Sequence, residues 1–151
     1  MGENNVMISI KAVQALPDQD GDSMELMTSG TLEQEGDSFT LSYQETEVTG
    51  MEGTLTTFHI EKDHISLVRL GQFNTTMLFE QGRRTLSVYD TPYGAMDVGV
   101  NTRSMCYDVG VTGGEITIVY DIEINHSVQS SNMFEISIRP LPGVQTGTAA
   151  S

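Results

Sequence analysis

The segment HISLVRLG, residues 64–71, holds the residue types that most directly suggest chemistry. In an extended strand Ile65, Leu67 and Arg69 share one face. If that face is buried, the guanidinium of Arg69 is buried with it, and because it cannot lose its charge it needs a carboxylate, carbonyl oxygens or an anionic ligand. Three alternatives remain open: a structural ion pair, an anion-binding site, or an exposed arginine on a strand that buries its other face.

A second candidate is the run VYDTPYGAMDVGV, residues 88–100, which alternates like a strand and is interrupted at its centre. Pro92 sets φ near about −65° and Gly94 permits positive φ, so the interruption predicts a tight turn. Tyr89 and Tyr93 flank this turn. Their hydroxyls either meet a ligand at one end of a barrel or cover that end by packing.

Side chains that line the interior of such a barrel complete the candidate site. The predicted ligand-binding set combines polar handles with two apolar wall residues: Arg69, Tyr89, Tyr93, Tyr107, Tyr120, Met77 and Phe79. Arg83, Arg84 and Arg103 would add a positive spot if they converged with Arg69, although solvated loop cations are their default interpretation.

The sequence predicts no catalytic residue, no metal site and no cofactor. Cys106 has no neighbouring base in the sequence, and a Gly-X-Ser-X-Gly motif is missing. The three histidines lack metal-ligand spacing. The acidic loop PDQDGDSMEL has its glycine at the wrong place for a calcium-binding EF-hand.

Charge excludes several classes of partner. The chain has 7 Lys and Arg against 21 Asp and Glu, a net charge of −14, which repels nucleic acid and anionic membranes. A single cysteine, Cys106, permits no disulfide within the chain, and neither a secretory signal nor an apolar run of about 20 residues is recognisable. We therefore predict a cytoplasmic protein without nucleic-acid or membrane partners; its oligomeric state is left open.

The elements that must position these residues are strands, because apolar residues recur with period two and Gly, Asp or Asn interrupts them every eight to twelve residues. Tight hairpin turns favour neighbours in sequence as neighbours in the sheet. Closing the sheet hides its edges, so an all-β, antiparallel up-and-down barrel of about 8 to 11 strands is favoured over a sandwich. About eleven strands are predicted: Val6–Val13, Met24–Gln34, Ser38–Glu47, Gly53–Glu61, His64–Leu70, Thr75–Glu80, Arg84–Tyr89, Ala95–Asn101, Met105–Val111, Glu115–Asn125 and Met133–Ile138.

The segment HSVQSSN, residues 126–132, is predicted as the hairpin connection before the last strand. Residues 1–140 are predicted to form a single domain. The stretch 141–151, rich in Gly, Thr and Ala and without periodicity, is predicted to be a disordered tail.

Three runs carry a resemblance to a known family: GTLTTFHIEKDHISLVRLGQFNTTMLFEQG, YDTPYGAMDVGV and GGEITIVYDIEI. Together they resemble the YwiB-like bacterial family of unknown function over residues 6–140. The resemblance implies a calycin-like, lipocalin-type barrel in the cytoplasm of a Gram-positive type of bacterium, and it implies no activity.

Three functions are compatible with these observations. The first is the binding of a small, partly apolar or anionic ligand in the barrel interior or at its mouth. The second is a structural or protein-interaction domain whose barrel is filled by its own side chains. The third is an enzyme that uses interior Arg, Tyr and Glu residues.

Overall fold

The computed structural model describes residues 2–16, 21–46, 52–71, 74–91, 94–124 and 127–141. Within these ranges no helix is long and apolar enough to cross a membrane. Ten strands follow one another along the chain: β1 (Gly2–Ala15), β2 (Asp22–Glu35), β3 (Ser38–Gln44), β4 (Thr54–Ile60), β5 (Ile65–Gly71), β6 (Asn74–Phe79), β7 (Arg84–Thr91), β8 (Gly94–Gly110), β9 (Gly113–Ile124) and β10 (Ser127–Pro140).

Each strand pairs in antiparallel orientation with its neighbours in the chain, and β1 also pairs with β10. Val6 lies opposite Pro140 in the closing pair and opposite Gly30 in β2. The sheet is therefore a closed barrel in which every strand pairs with a strand on each side, and β2 pairs with β3 over Thr31–Glu35. The predicted all-β, up-and-down barrel is confirmed, and its ten strands lie within the predicted number.

The two ends of the barrel are distinguished by their turns. We call one the Gly36 end; it carries the connections β2–β3, β4–β5, β6–β7 and β8–β9. Its tight reversals use glycines with positive φ, 63° at Gly36 and 75° at Gly82, a region that disfavours other residues. We call the other the Arg69 end; Gln44 ends β3 there, and Thr54 begins β4.

Strand β8 is continuous where two strands were predicted. The expected strands Ala95–Asn101 and Met105–Val111 are one strand, with a register shift between Thr102 and Ser104. The extra residue, Arg103, forms a β-bulge, which inserts one residue and lets pairing continue on both sides. The polar run NTRS therefore bends the strand without ending it.

Strand β10 gives a second correction. It begins at Ser127, so the prediction of a hairpin connection over HSVQSSN was wrong for most of that segment. A register shift between Val128 and Ser130 again absorbs one residue. Asn132 Nδ2 donates a hydrogen bond to Ser130 Oγ at 3.0 Å, so the polar side chains in this part of the strand satisfy one another. The predicted tail lies outside the described residues except for Leu141.

Apolar side chains fill the barrel. On β4 and β5 the inward residues include Phe58, Ile60, Ile65 and Leu67, each at most 1% exposed. Burial of this apolar surface is the main stabilising contribution to the fold.

Four aromatic rings cross the interior, and we call them the aromatic bridge: Phe58, Phe79, Tyr120 and Phe134. The ring centroids of Phe79 and Tyr120 are 4.8 Å apart, those of Tyr120 and Phe134 5.8 Å, and those of Phe134 and Phe58 6.3 Å. Since β4 and β6 contribute two rings and β9 and β10 the other two, the bridge joins opposite sides of the barrel.

Candidate functional site

Five polar side chains come together inside the barrel at the Arg69 end, and we call them the polar cluster: Tyr43, Glu45, Thr54, Thr56 and Arg69. Strand pairing sets them side by side, because Thr56 lies opposite both Tyr43 and Arg69. All except Arg69 are buried, and the Arg69 side chain is 17% exposed. A charged pair and three hydroxyls therefore replace the apolar core at this end.

Glu45 supplies the negative charge of the polar cluster. Its side chain is 1% exposed, and Arg69 Nε lies 3.8 Å from its Oε2 atom. Thr56 Oγ1 donates a hydrogen bond to the same oxygen. The backbone N–H of Glu45 donates to the carbonyl oxygen of Thr54 at 2.8 Å, which fixes Glu45 where the chain leaves β3. Arg69 thus has the carboxylate partner that the ion-pair alternative requires.

Two hydrogen-bonding atoms of the polar cluster have no partner among the described residues: Arg69 Nε and Thr54 Oγ1. The distance of 3.8 Å to Glu45 permits an ion pair but is too long for a hydrogen bond from Nε. Thr54 lies opposite Gly71, two residues along the strands from the Thr56–Arg69 pair, so both unpartnered atoms belong to one patch of the inner face. Because buried polar atoms are nearly always hydrogen-bonded, these two atoms depart from the usual pattern.

Tyr43 contributes a hydroxyl that stays protonated. Burial raises the pKa of Tyr43 well above its ordinary value of 10.0; the negative charge of Glu45 acts in the same direction, and the positive charge of Arg69 opposes it. At neutral pH Tyr43 is therefore a hydrogen-bond donor and not a base.

The raised pKa of Tyr43 predicts a specific loss of stability in alkali. Below about pH 10 the hydroxyl is protonated in both the folded and unfolded states; above it the unfolded chain releases the proton first, so stability falls as pH rises toward the folded pKa. Tyr43→Phe removes this titration. We expect the variant to lose less free energy of unfolding than wild type between about pH 9 and pH 11, measured by urea unfolding at each pH. Equal losses in the two proteins would contradict the prediction.

Two of the predicted ligand-binding residues are close in the strand register. Arg69 lies opposite Thr75, and Thr75 lies opposite Tyr89, so the backbones of Arg69 and Tyr89 occupy one cross-strand row at the Arg69 end. Tyr93 lies outside the described residues. Contact of these tyrosines with a ligand stays a prediction.

Three other predicted residues lie in the packed core. Met77, Phe79 and Tyr120 are 2%, 0% and 6% exposed, and the last two belong to the aromatic bridge. All three contact other core side chains on the inner wall, where Met77 and Phe79 were predicted as wall residues and Tyr120 as a polar handle. Their role in ligand binding also stays a prediction.

Tyr107 lies at the opposite, Gly36 end of the barrel. Its hydroxyl donates to the carbonyl oxygens of Glu61 and Lys62, each 2.5 Å away, and so closes the β4–β5 turn. Burial raises the pKa of Tyr107, and the charges of Asp63 and Glu61 add to the effect. Tyr107 is therefore separated from Arg69 by the length of β5.

Two further arginines form ion pairs on the outer surface. Arg84 Nε lies 2.6 Å from Glu123 Oε1, and Arg103 Nε lies 3.1 Å from Asp121 Oδ2. Because Arg69 faces the interior, these cations do not converge with it. The acids are the shielded partners, because the side chains of Glu123 and Asp121 are 13% and 6% exposed, whereas those of Arg84 and Arg103 are 40% and 61% exposed.

Four members of the polar cluster were not predicted from the sequence: Tyr43, Glu45, Thr54 and Thr56. A signal for the acid was present in LSYQE, where Leu41, Tyr43 and Glu45 share one face of a strand. An acid two residues beyond a core tyrosine indicates a buried carboxylate, and a buried carboxylate needs a cation.

A groove of about 580 Å³ lies outside the barrel, on β9, β10, β1 and β2. Its lining includes small hydroxyl side chains and exposed charged ones, and Lys11 lies opposite both Glu135 and Glu25. It contains none of the predicted ligand-binding residues. Its charges are solvated, whereas the polar cluster holds buried atoms without partners, so we regard the cluster as the stronger candidate site.

Comparisons with known proteins identify a family and a fold. A family model described as "Domain of unknown function (DUF1934)" matches residues 8–136. The crystal structure of the ywiB protein from Bacillus subtilis is similar with a TM-score of 0.81 and 20% sequence identity, over 92% of this chain and 93% of that chain. At this identity the likeness shows the barrel fold alone. No curated protein matches the chain.

Proposed function

Because the chain belongs to a family whose description assigns no activity, the domain of unknown function DUF1934, we propose a function from its own contacts. The barrel binds a small, partly apolar molecule at the Arg69 end, through a carboxylate or another anionic acceptor group on that molecule. The resemblance to the YwiB-like family drawn from the sequence is confirmed by this membership together with the shared fold.

The observation that carries the proposal is the pair of unpartnered atoms, Arg69 Nε and Thr54 Oγ1. Both can donate to one acceptor, and an ionised acceptor gains more from the guanidinium than a neutral one does. Phe58, two residues along β4 from Thr56, supplies an apolar surface beneath the polar cluster. Lipocalin-type barrels hold small ligands in this way, so the calycin-like character expected from the sequence is part of the proposal.

Thr54→Val tests the proposal without disturbing the Glu45–Arg69 pair. We use benzoate as the probe and uncharged benzamide of similar shape for comparison. Wild type is expected to bind benzoate more tightly than benzamide, and Thr54→Val to weaken benzoate binding at least roughly tenfold in isothermal titration calorimetry. Stability should hold or rise, because the variant removes a buried hydroxyl that has no partner.

Thr102→Val is the matched control. Thr102 is 0% exposed like Thr54, and its hydroxyl also has no partner, but its backbone hydrogen-bonds to Gly82 and Arg83 at the Gly36 end. This variant is expected to leave benzoate affinity within about twofold of wild type. Absence of benzoate binding in wild type, or equal loss in both variants, would contradict the proposal.

A second candidate function is a structural or protein-interaction domain, and the aromatic bridge favours it because its four rings fill the barrel centre. Native mass spectrometry of freshly purified protein, compared with denatured protein, separates the two functions. A co-purified small molecule supports binding. A mass equal to that of the bare chain, together with no benzoate binding, supports the filled barrel.

The remaining parts of the proposal concern catalysis and location. The enzyme alternative uses interior Arg, Tyr and Glu side chains, and Tyr43, Glu45 and Arg69 are such a group. The raised pKa of Tyr43 disfavours it as a base, so no catalytic residue is assigned. The exposed thiol of Cys106 suits a reducing compartment, and we retain the cytoplasm as the expected location.

A further inference from the structure

The outward residues of β3, β4, β5 and β6 are all uncharged, although the chain has 7 Lys and Arg and 21 Asp and Glu. The nearest acid to them is Glu61 in the β4–β5 turn, which accepts a hydrogen bond from Ser38. All outward residues of these four strands are described, and His59 is counted as neutral. We call this surface the neutral face: Ser38, Thr40, Ser42, Gln44, Leu55, Thr57, His59, Ser66, Val68, Leu70, Asn74, Thr76 and Leu78.

Apolar side chains stand out from the neutral face. Leu55 and Leu70 lie opposite each other on β4 and β5 and are 38% and 59% exposed. On the adjoining strand β7, Leu86 is 72% exposed. Val68 and Thr57 form the next cross-strand pair and are half-buried. Exposed leucines joined by uncharged residues mark an interaction surface more strongly than scattered ones do.

The opposite side of the barrel concentrates charge. Outward residues of β9, β10, β1 and β2 include Glu115, Glu135, Arg139, Lys11 and Glu25, all exposed. Two molecules with net charge −14 repel each other over most orientations. At the neutral face like charges come close only along its border, where Glu61 accepts a hydrogen bond from Ser38 and Glu33 lies opposite Thr40.

We propose that the neutral face is a homodimer interface, in which two copies pack their β3–β6 sheets face to face about a two-fold axis. An isologous interface needs a surface complementary to itself, and an uncharged face of leucine, threonine and serine meets that condition. A partner with a charged surface would have its charges desolvated here without compensation, whereas a second copy brings none.

The size of the neutral face fits a modest dimer. Four strands spaced about 4.8 Å apart, with seven residues at about 3.3 Å each, project to roughly 400 Å². Because side chains project from the sheet, the solvent-accessible area of the face exceeds this projected area and approaches the ~800 Å² that each partner buries in a standard stable interface. An interface of this size is typical of weak or transient association, so we expect a dimer that dissociates on dilution.

Leu70→Lys tests the interface in the full chain. Sedimentation velocity from about 1 to 100 µM is expected to show a monomer–dimer equilibrium for wild type, and the variant to raise the dissociation constant at least roughly tenfold. The added lysine lowers the net negative charge and so reduces general repulsion. A weaker dimer must therefore come from a charge placed in the interface.

Met27→Lys is the matched control, because Met27 is 67% exposed on β2, outside the neutral face. The dissociation constant of Met27→Lys is expected to stay within about twofold of the wild-type value. In wild type, added salt is expected to strengthen the dimer, because it screens the repulsion between the two negatively charged molecules. If Leu70→Lys unfolds, Thr76→Lys at another exposed position of the face replaces it. A monomer at every concentration, equal weakening by both lysines, or a dimer weakened by salt would overturn the proposal.

Discussion

Replacing Arg69 with methionine is expected to lower the free energy of unfolding by about 3 kcal/mol. The substitution leaves the carboxylate of Glu45, whose side chain is 1% exposed, without its cation. Loss of one partner of a buried pair costs more than the pair itself contributes, because the remaining charge is desolvated. The partial exposure of Arg69 puts our expected value at the lower end of the usual range. Urea unfolding measures the change.

The double variant Glu45→Gln/Arg69→Met separates the two roles considered for Arg69. If the pair is structural, removing both charges should restore most of the stability, since no buried charge remains. A pure anion-binding role would instead leave Arg69→Met as stable as wild type, or more stable, while benzoate binding falls. Unchanged stability in the single variant would therefore reject the structural pair.

Phe79→Ala is expected to destabilise the protein by about 4 kcal/mol, the largest effect that we predict. Phe79 is 0% exposed, and its ring lies 4.8 Å from that of Tyr120, so truncation removes buried surface and leaves a cavity in the aromatic bridge. The cost includes the lost contacts and the cavity itself, because neighbouring strands of a closed barrel cannot collapse freely. Urea unfolding, with the slope checked for two-state behaviour, gives the value.

Met27→Ala is the control for this truncation. Its side chain is 67% exposed on the outer face, so the change should stay within about 0.5 kcal/mol of wild type. If Phe79→Ala lowers the free energy of unfolding no more than Met27→Ala does, the barrel centre is loosely packed. That result would contradict the filled interior on which the structural-domain alternative depends.

The direction in which Arg69 points shows how far sequence reasoning extends in this protein. Period-two alternation correctly groups Arg69 with Ile65 and Leu67, and both of these are buried. It could not decide that this face is the inner one, because Val68 and Leu70 make the opposite face apolar as well. The structure explains the ambiguity: that opposite face belongs to the neutral face.

The two strand errors have a shared physical cause. At Arg103 and between Val128 and Ser130 a bulge shifts the register by one residue, so the alternation restarts in a new phase. When only periodicity is available, such a restart in a polar run indicates the end of a strand. Pairing partners from neighbouring strands keep the backbone extended there, and they are remote in sequence.

The polar cluster could be predicted from the sequence only in part, for a similar reason. Arg69 could be singled out as a cation in need of a partner, but the choice of Glu45 among many acids depends on the register of β3 against β4. That register sets Tyr43 opposite Thr56. A register is a property of paired strands, and the connection between these two includes residues outside the described ranges.

Closure of the barrel also constrains how the molecule is made. Strand β1 is the first synthesised, yet one of its two partners is β10, with Val6 opposite Pro140. On the ribosome the hairpins can assemble one after another, but the nascent sheet keeps open margins until the last strand emerges. Contacts so distant along the chain slow folding. The barrel therefore closes only after β10 has been translated, and its exposure to aggregation is concentrated before that moment.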